Sequence, residues 1–203
     1  EMFGIVCGLH NTKQRLTVVI DKGMNAESNY AWIDEHSRIH FFTTYSTYFA
    51  QDLATLSLDH FEPVDIEKNR QLAAEDPEER LLAYRTKGEY WGKERAVVVT
   101  YNPANARKQS YTFDNKLDAL RQELLSIRAK VRDGVSQWRD PKSIEERYLR
   151  LCQRLHISSR VYKLTFAQSH SGLSMSFRKD VYQVQRRESM FGKNIIITDN
   201  TDW

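Results

Sequence analysis

The sequence predicts an α/β protein, and three features carry that expectation. Two short, apolar, β-branched runs at 16–20 and 39–44 flank a segment of helical character. Leu117, Leu120, Leu124, Ile127 and Val131 recur at steps of three and four, the stripe of a long amphipathic helix. A third apolar run, 194–198, returns the chain to a strand near its end. The chain has 203 residues, enough for one large domain or two small ones.

Taken in order, 16–20 reads as a buried strand that ends in Asp21-Lys22-Gly23, where the glycine takes the turn. Asn25 then caps a helix over 26–35, with Tyr30, Ala31 and Ile33 inward. The run 39–44 is a second strand, so the two form a parallel βαβ unit with a right-handed crossover. From 46 to 90 the chain is rich in charge, most of all at 75–80, with apolar islands such as 53–58. A strand over 96–101 stops at Asn102-Pro103. The striped helix covers 115–131 and closes at Asp133-Gly134. Asp140-Pro141 opens another helix, whose apolar positions are Ile144, Tyr148, Leu151, Cys152 and Leu155. Strands follow at 161–166, 173–177, 181–185 and 194–198, with turns at 169–172 and 178–180.

Composition narrows the function classes. Lys and Arg number 30 against 27 Asp and Glu, a net charge of +3, which permits a nucleic-acid partner without requiring one. Cys7 and Cys152 match no metal-ligand spacing and suit a reducing compartment better than a disulfide scaffold. No apolar run reaches the ~18 residues of a membrane span, and the first residues lack a signal-peptide pattern. No Gly-x-Gly-x-x-Gly loop is present, so nucleotide-cofactor enzymes fit poorly. His36 and His40 are four apart but straddle a helix–strand boundary, and His170 between Ser169 and Ser171 reads as a turn.

The sharpest local feature is Asp21. A carboxylate at the carboxyl end of a strand, before a helix, sits where open α/β sheets place their ligands, and it suits Mg²⁺. A turn-forming aspartate is the plainer reading of the same position.

The words around it extend the first reading. Val18-Val19-Ile20-Asp21-Lys22-Gly23-Met24-Asn25-Ala26-Glu27-Ser28-Asn29 resembles the second-aspartate motif of DDE-type transposases of bacterial insertion sequences, with Lys22 in place of the commoner arginine. Phe191-Gly192-Lys193-Asn194-Ile195-Ile196-Ile197-Thr198-Asp199 is similar to the family's later turn and strand. The resemblance implies a partial ribonuclease-H-like core with an inserted α+β subdomain. Residues 1–48 would form part of the core, 49–190 the insertion, and 191–203 the return strand, ending before the catalytic glutamate. Of three carboxylates that hold two Mg²⁺ or Mn²⁺ ions for phosphoryl transfer on DNA, only Asp21 falls within the chain. Asp199 belongs to the strand end and takes no catalytic role. Glu1 in place of an initiator methionine, and Trp203 soon after a strand, read as the ends of a fragment that alone does not cleave DNA. The longer protein is expected to be a homodimer on transposon ends and target DNA, in the bacterial cytoplasm with the nucleoid.

Further candidates for DNA contact are Lys22, Arg178 with Lys179, and Arg186 with Arg187, the last four in the late stranded part. A solvated strand edge is the alternative for those four. Lys87, Lys93 and Arg95 around Tyr90 and Trp91 mix charge and rings as nucleic-acid grooves do, and ordinary hairpin packing uses the same residues. By the resemblance, Trp91 and Trp138 are candidates to receive a flipped base. The stripe from Leu117 to Val131 serves core packing before dimerisation. The competing function is a non-catalytic nucleic-acid-binding or interaction domain of transposase ancestry.

Overall fold

The computed structural model describes residues 15–201 except Ser171. Cys7, Glu1 and Trp203 lie outside the described residues. The architecture is mixed α/β, and the chain divides into two compact units. The first holds residues up to Ala106 and again from Gly192; the second is Arg107–Phe191. The second unit thus lies in sequence between two stretches of the first, and the strands between 49 and 106 belong to the same sheet as the first two.

In the first unit, β1 (Leu16–Ile20), α1 (Glu27–Asp34) and β2 (Ile39–Tyr45) form the parallel unit the sequence predicts, with Leu16 opposite Ile39 and Ile20 opposite Thr43. The short α2 (Gln51–Ala54), strand β3 (Glu62–Pro63) and α3 (Glu67–Glu75) fill the charged stretch. Next come the hairpin strands β4 (Leu82–Tyr90) and β5 (Lys93–Tyr101). The last strand, β8 (Lys193–Thr198), runs antiparallel between β2 and β5, giving the sheet order β1-β2-β8-β5-β4-β3. One face is the core. Ile20, Thr43, Ile197 and Val97 lie side by side across four strands, all buried.

Three expectations need correction here. β1 is not buried among the described residues: it ends the sheet they form, and Val19 on the open face is 83% exposed. Ala31 faces solvent, leaving Tyr30 and Ile33 as the inward residues of α1. Asn25 does not cap α1, whose N-cap is Ala26 without a side-chain bond; its amide is engaged elsewhere.

Helix α4 (Pro103–Arg132) carries the chain into the second unit. It is far longer than the predicted 115–131. Pro103 opens it, and Asn102 Oδ1 accepts from Asn105 N–H at 3.1 Å. Its early turns are mostly exposed, so the apolar stripe becomes visible only from Phe113 onward. Asp140 caps α5 (Pro141–Leu155) by accepting from Lys142 and Ser143 N–H at 3.2 and 3.0 Å. Ile144, Tyr148, Leu151 and Cys152 form its buried face. Strands β6 (Tyr162–Ser169) and β7 (Gly172–Lys179) make a separate antiparallel hairpin.

The predicted strand at 181–185 is instead helix α6 (Val181–Glu188). Its apolar β-branched residues suggest a strand, but Val181 is exposed and only Val184 is buried. The deciding group is Asp180, whose Oδ1 accepts from Gln183 N–H at 3.2 Å and starts the helix.

Chain return is tightly fitted. Gly192 has φ +73°, and its carbonyl oxygen accepts from Asn102 N–H at 2.9 Å. A Cβ there would stand 2.6 Å from Asn102 O and 2.7 Å from Ala106 Cβ, so only glycine fits.

Candidate functional site

Asp21 ends β1 in extended conformation, and its side chain folds back so that Oδ1 accepts from Gly23 N–H at 2.9 Å. The carboxylate is exposed, and among the described residues Oδ2 takes no hydrogen bond. Lys22 beside it is also exposed. Thus Asp21 both shapes the turn and presents a carboxylate oxygen outward.

The turn is braced from behind by Asn25. Its Nδ2 donates to Thr44 O at 3.1 Å, joining the turn after β1 to the far end of β2. Its Oδ1 receives the Tyr30 hydroxyl and lies 2.7 Å from Thr43 Oγ1. Asn29 Nδ2 adds a bond to Met24 O at 2.8 Å. Burial pushes the Tyr30 phenol above its ordinary range, opposed by the Thr43 bond and the Arg95 charge, so the hydroxyl stays a donor.

Trp91 stacks on Tyr30 from the other side. Tyr90 pairs with Lys93, so Trp91-Gly92 is a two-residue hairpin loop, with φ of +52° and +73°. That is the geometry of a tight hairpin of the mirror-turn kind. Trp91 also meets Phe41 and Tyr45 edge-on, at 6.0 Å in each case. Tyr45 continues outward to Phe49, and both Phe49 and Tyr48 are exposed.

The neighbouring cations of the hairpin are structural. Arg95 is buried and makes a two-pronged pair with Asp34, NH1 to Oδ1 at 2.8 Å and NH2 to Oδ2 at 2.6 Å. Lys93 joins the same carboxylate at 3.3 Å, and Lys87 pairs with Glu94 at 2.9 Å. Burial pushes the Asp34 carboxyl up, but the bonds and charge of Arg95, then of Lys93, outweigh it and hold the group below the ordinary carboxylate range.

Asp199 is held in place by the sheet. Its Oδ1 accepts from Phe41 N–H at 2.9 Å and its Oδ2 lies 3.1 Å from His40 Nδ1. In register Asp21 falls level with Thr44, and Asp199 level with Phe41, about 10 Å back along β2. The two carboxylates belong to different places. Lys193, from the later motif, donates to Leu56 O and lies 5.5 Å from the Phe61 ring centroid.

The remaining predicted residues lie in the second unit. Arg178 and Lys179 end β7, whereas Arg186 and Arg187 sit in the last turn of helix α6, not on a strand. Arg187 lies over Phe191, 5.6 Å from the ring centroid. Trp138 is buried between two cations, Arg147 at 4.4 Å and Lys130 at 5.3 Å from its ring centroid. It is packed rather than offered. Residue spacing did not reveal Asn25 as a brace, because a cap and a brace need the same residue type.

Among the described residues no group of three or more His, Cys, Asp or Glu converges to hold a metal ion. No helix among the described residues is long and apolar enough to cross a membrane. No protein-family model, no curated protein and no solved structure matches the chain.

Proposed function

We propose that this chain is the central part of a DDE-type insertion-sequence transposase with a ribonuclease-H-like core, and that Asp21 is one of its catalytic carboxylates. The observation that supports the reading is the parallel β1–α1–β2 unit with an exposed carboxylate at the carboxyl end of β1. That is where ligands of open α/β sheets bind. The two sequence motifs lie at the ends of one sheet's strands, β1 and β8, both beside β2.

In this reading Gly23 N–H aims the Asp21 carboxylate, and Asn25 keeps the turn from shifting against β2. A rigid backing of this kind holds a reacting geometry in place. Lys22 supplies a positive charge next to the scissile phosphate. Bound Mg²⁺ or Mn²⁺ supplies Lewis-acid stabilisation of the attacking and leaving oxygens. Asp21 alone among the named residues presents an oxygen for it, so the segment by itself is inactive. The substrate is DNA, transposon ends and target, and the full protein acts as a homodimer in the bacterial cytoplasm.

The test is cleavage of transposon-end DNA in Mg²⁺ by the full-length protein and by its Asp21→Asn variant. The expected result is cleavage lost with DNA binding and melting temperature unchanged. A variant that cuts as well as the parent would reduce Asp21 to a turn residue. An inactive parent that still binds DNA would favour the second reading, a non-catalytic nucleic-acid-binding domain.

A further inference from the structure

Residues 107–191 carry 18 lysines and arginines against 9 aspartates and glutamates, a net charge of +9. The rest of the chain carries 12 against 18, a net of −6. The total of +3 thus conceals a strongly basic second unit and an acidic first one.

The basic unit has a focus. Between one face of α4 and the β6–β7 hairpin runs a groove of about 720 Å³. Arg121 and Arg128 stand on the helical wall, two turns and about 10 Å apart, and Arg178 and Lys179 stand on the hairpin wall. All four are exposed, and among the described residues none of their side chains makes an ion pair or a hydrogen bond. Their neighbours differ. Lys163, opposite Arg178 in the hairpin, is held by Asp180 at 2.9 Å, and Arg154 is held by Glu123 at 3.3 Å. Asp114 and Asp118 share the groove wall yet form no ion pair with the four cations, so they lower the net charge there without cancelling it.

One of the four is already positioned. The Arg128 guanidinium lies 5.5 Å from the centroid of the Phe177 ring, which Tyr162 meets edge-on at 5.7 Å. A cation held over a ring face keeps its N–H groups for an anion. Three arginines and a lysine facing one another across a groove repel until an anion lies between them. Arginine forks match phosphate, and charges on both walls match a chain of phosphates rather than a single ion.

We propose that this groove holds a single nucleic-acid strand by its phosphates, Arg121 and Arg128 on one side and Arg178 and Lys179 on the other. The groove's volume of about 720 Å³ suits a few nucleotides of one strand rather than the bulk of a duplex. This inference rests on the nucleic-acid partner of the reading above and not on its chemistry.

The test is fluorescence anisotropy of labelled oligothymidylate with the full chain across a salt series. Four phosphate contacts give a log–log salt slope of about −3. Arg121→Gln with Arg178→Gln is expected to bind roughly tenfold more weakly, with a slope shallower by about 1.4. Asp114→Asn with Asp118→Asn is expected to bind roughly threefold more tightly, a gain that misfolding does not produce. The proposal fails if the glutamine variant binds like the parent, if a duplex of the same length competes better than the strand, or if polyglutamate displaces the strand at equal charge. Binding here needs no cleavage. A failed cleavage test leaves this titration readable, and failed groove variants leave the cleavage test untouched.

Discussion

Trp91 lies nearly flat on Tyr30, ring centroids 3.8 Å apart and planes 19° from parallel. The contact joins the β4–β5 hairpin loop to the turn behind Asp21, because the Tyr30 hydroxyl in turn donates to Asn25. It also accounts for a tryptophan at φ +52°, a backbone state usual for glycine or asparagine. The stack offsets the strain.

Replacing Trp91 separates the two terms. Trp91→Ala keeps the left-handed backbone and loses the stack, at an expected cost of about 3 kcal/mol. Trp91→Asn loses the stack but suits the turn, and should be about 1 kcal/mol less harmful. Urea unfolding of both variants measures the difference; equal costs would mean that the loop carries no strain.

Asn25→Ala removes the bond to Thr44 O, strands the Tyr30 hydroxyl and leaves the Thr43 hydroxyl with Ile20 O at 3.1 Å, so a loss of about 2 kcal/mol is expected. Tyr30→Phe breaks only one of these bonds and should cost less, about 1 kcal/mol. Thermal melts of the pair check the order. The reverse order would mean that Asn25 is not the brace.

Arg95→Met leaves the Asp34 carboxylate buried with only Lys93 beside it, and should destabilise the chain by about 3 kcal/mol. Adding Asp34→Leu should recover most of that loss. The pair also makes stability depend on pH. The Asp34 carboxyl is lower in the folded chain than in the unfolded one, so its contribution is complete at neutral pH. That contribution fades as pH falls from about 4 through the lower folded value. Acid unfolding of Arg95→Met should therefore show a shallower fall over this range. An identical acid limb in parent and variant would contradict the assignment.

Gly192→Ala forces a Cβ against Asn102 O and Ala106 at φ +73°. A loss of about 2 kcal/mol or more is expected, against a smaller loss of about 1 kcal/mol for Gly134→Ala, where a Cβ meets nothing and the positive φ alone is strained. Gly134→Asn, which tolerates the left-handed state, is the control for backbone strain alone. If Gly192→Ala matches Gly134→Asn, the close approach has no energetic weight.

Much of the sheet was legible because its strands are runs of β-branched residues ended by turn chemistry. The parallel unit, the Asp140 cap and the β6–β7 hairpin follow from such local signals. What failed was non-local. A run such as Leu16–Ile20 reads the same at an edge as in the centre, and only pairing decides which it is. Val181 and Tyr182 look like strand residues, while Asp180 overrides them through one bond. Asp21 stood out by position, whereas Asn25 and Tyr30 emerged as its backing only when β2 was placed beside the turn. Arg121 and Arg128 lie seven apart on a helix read chiefly for its leucines. The charge division needed no coordinates at all beyond the boundary near 107 and 192.

The position of β8 between β2 and β5 sets an order on synthesis. β2 ends at Tyr45 and β5 at Tyr101, yet the strand that bridges them begins at Lys193. A nascent chain leaving the ribosome holds two half-sheets with open edges until the whole of Arg107–Phe191 has emerged. The second unit, a compact and continuous stretch of chain, can fold while the first still waits for its central strand. Translation stalled before residue 193 thus leaves the Asp21 turn on a two-stranded piece of sheet, joined to neither β8 nor the β4–β5 hairpin.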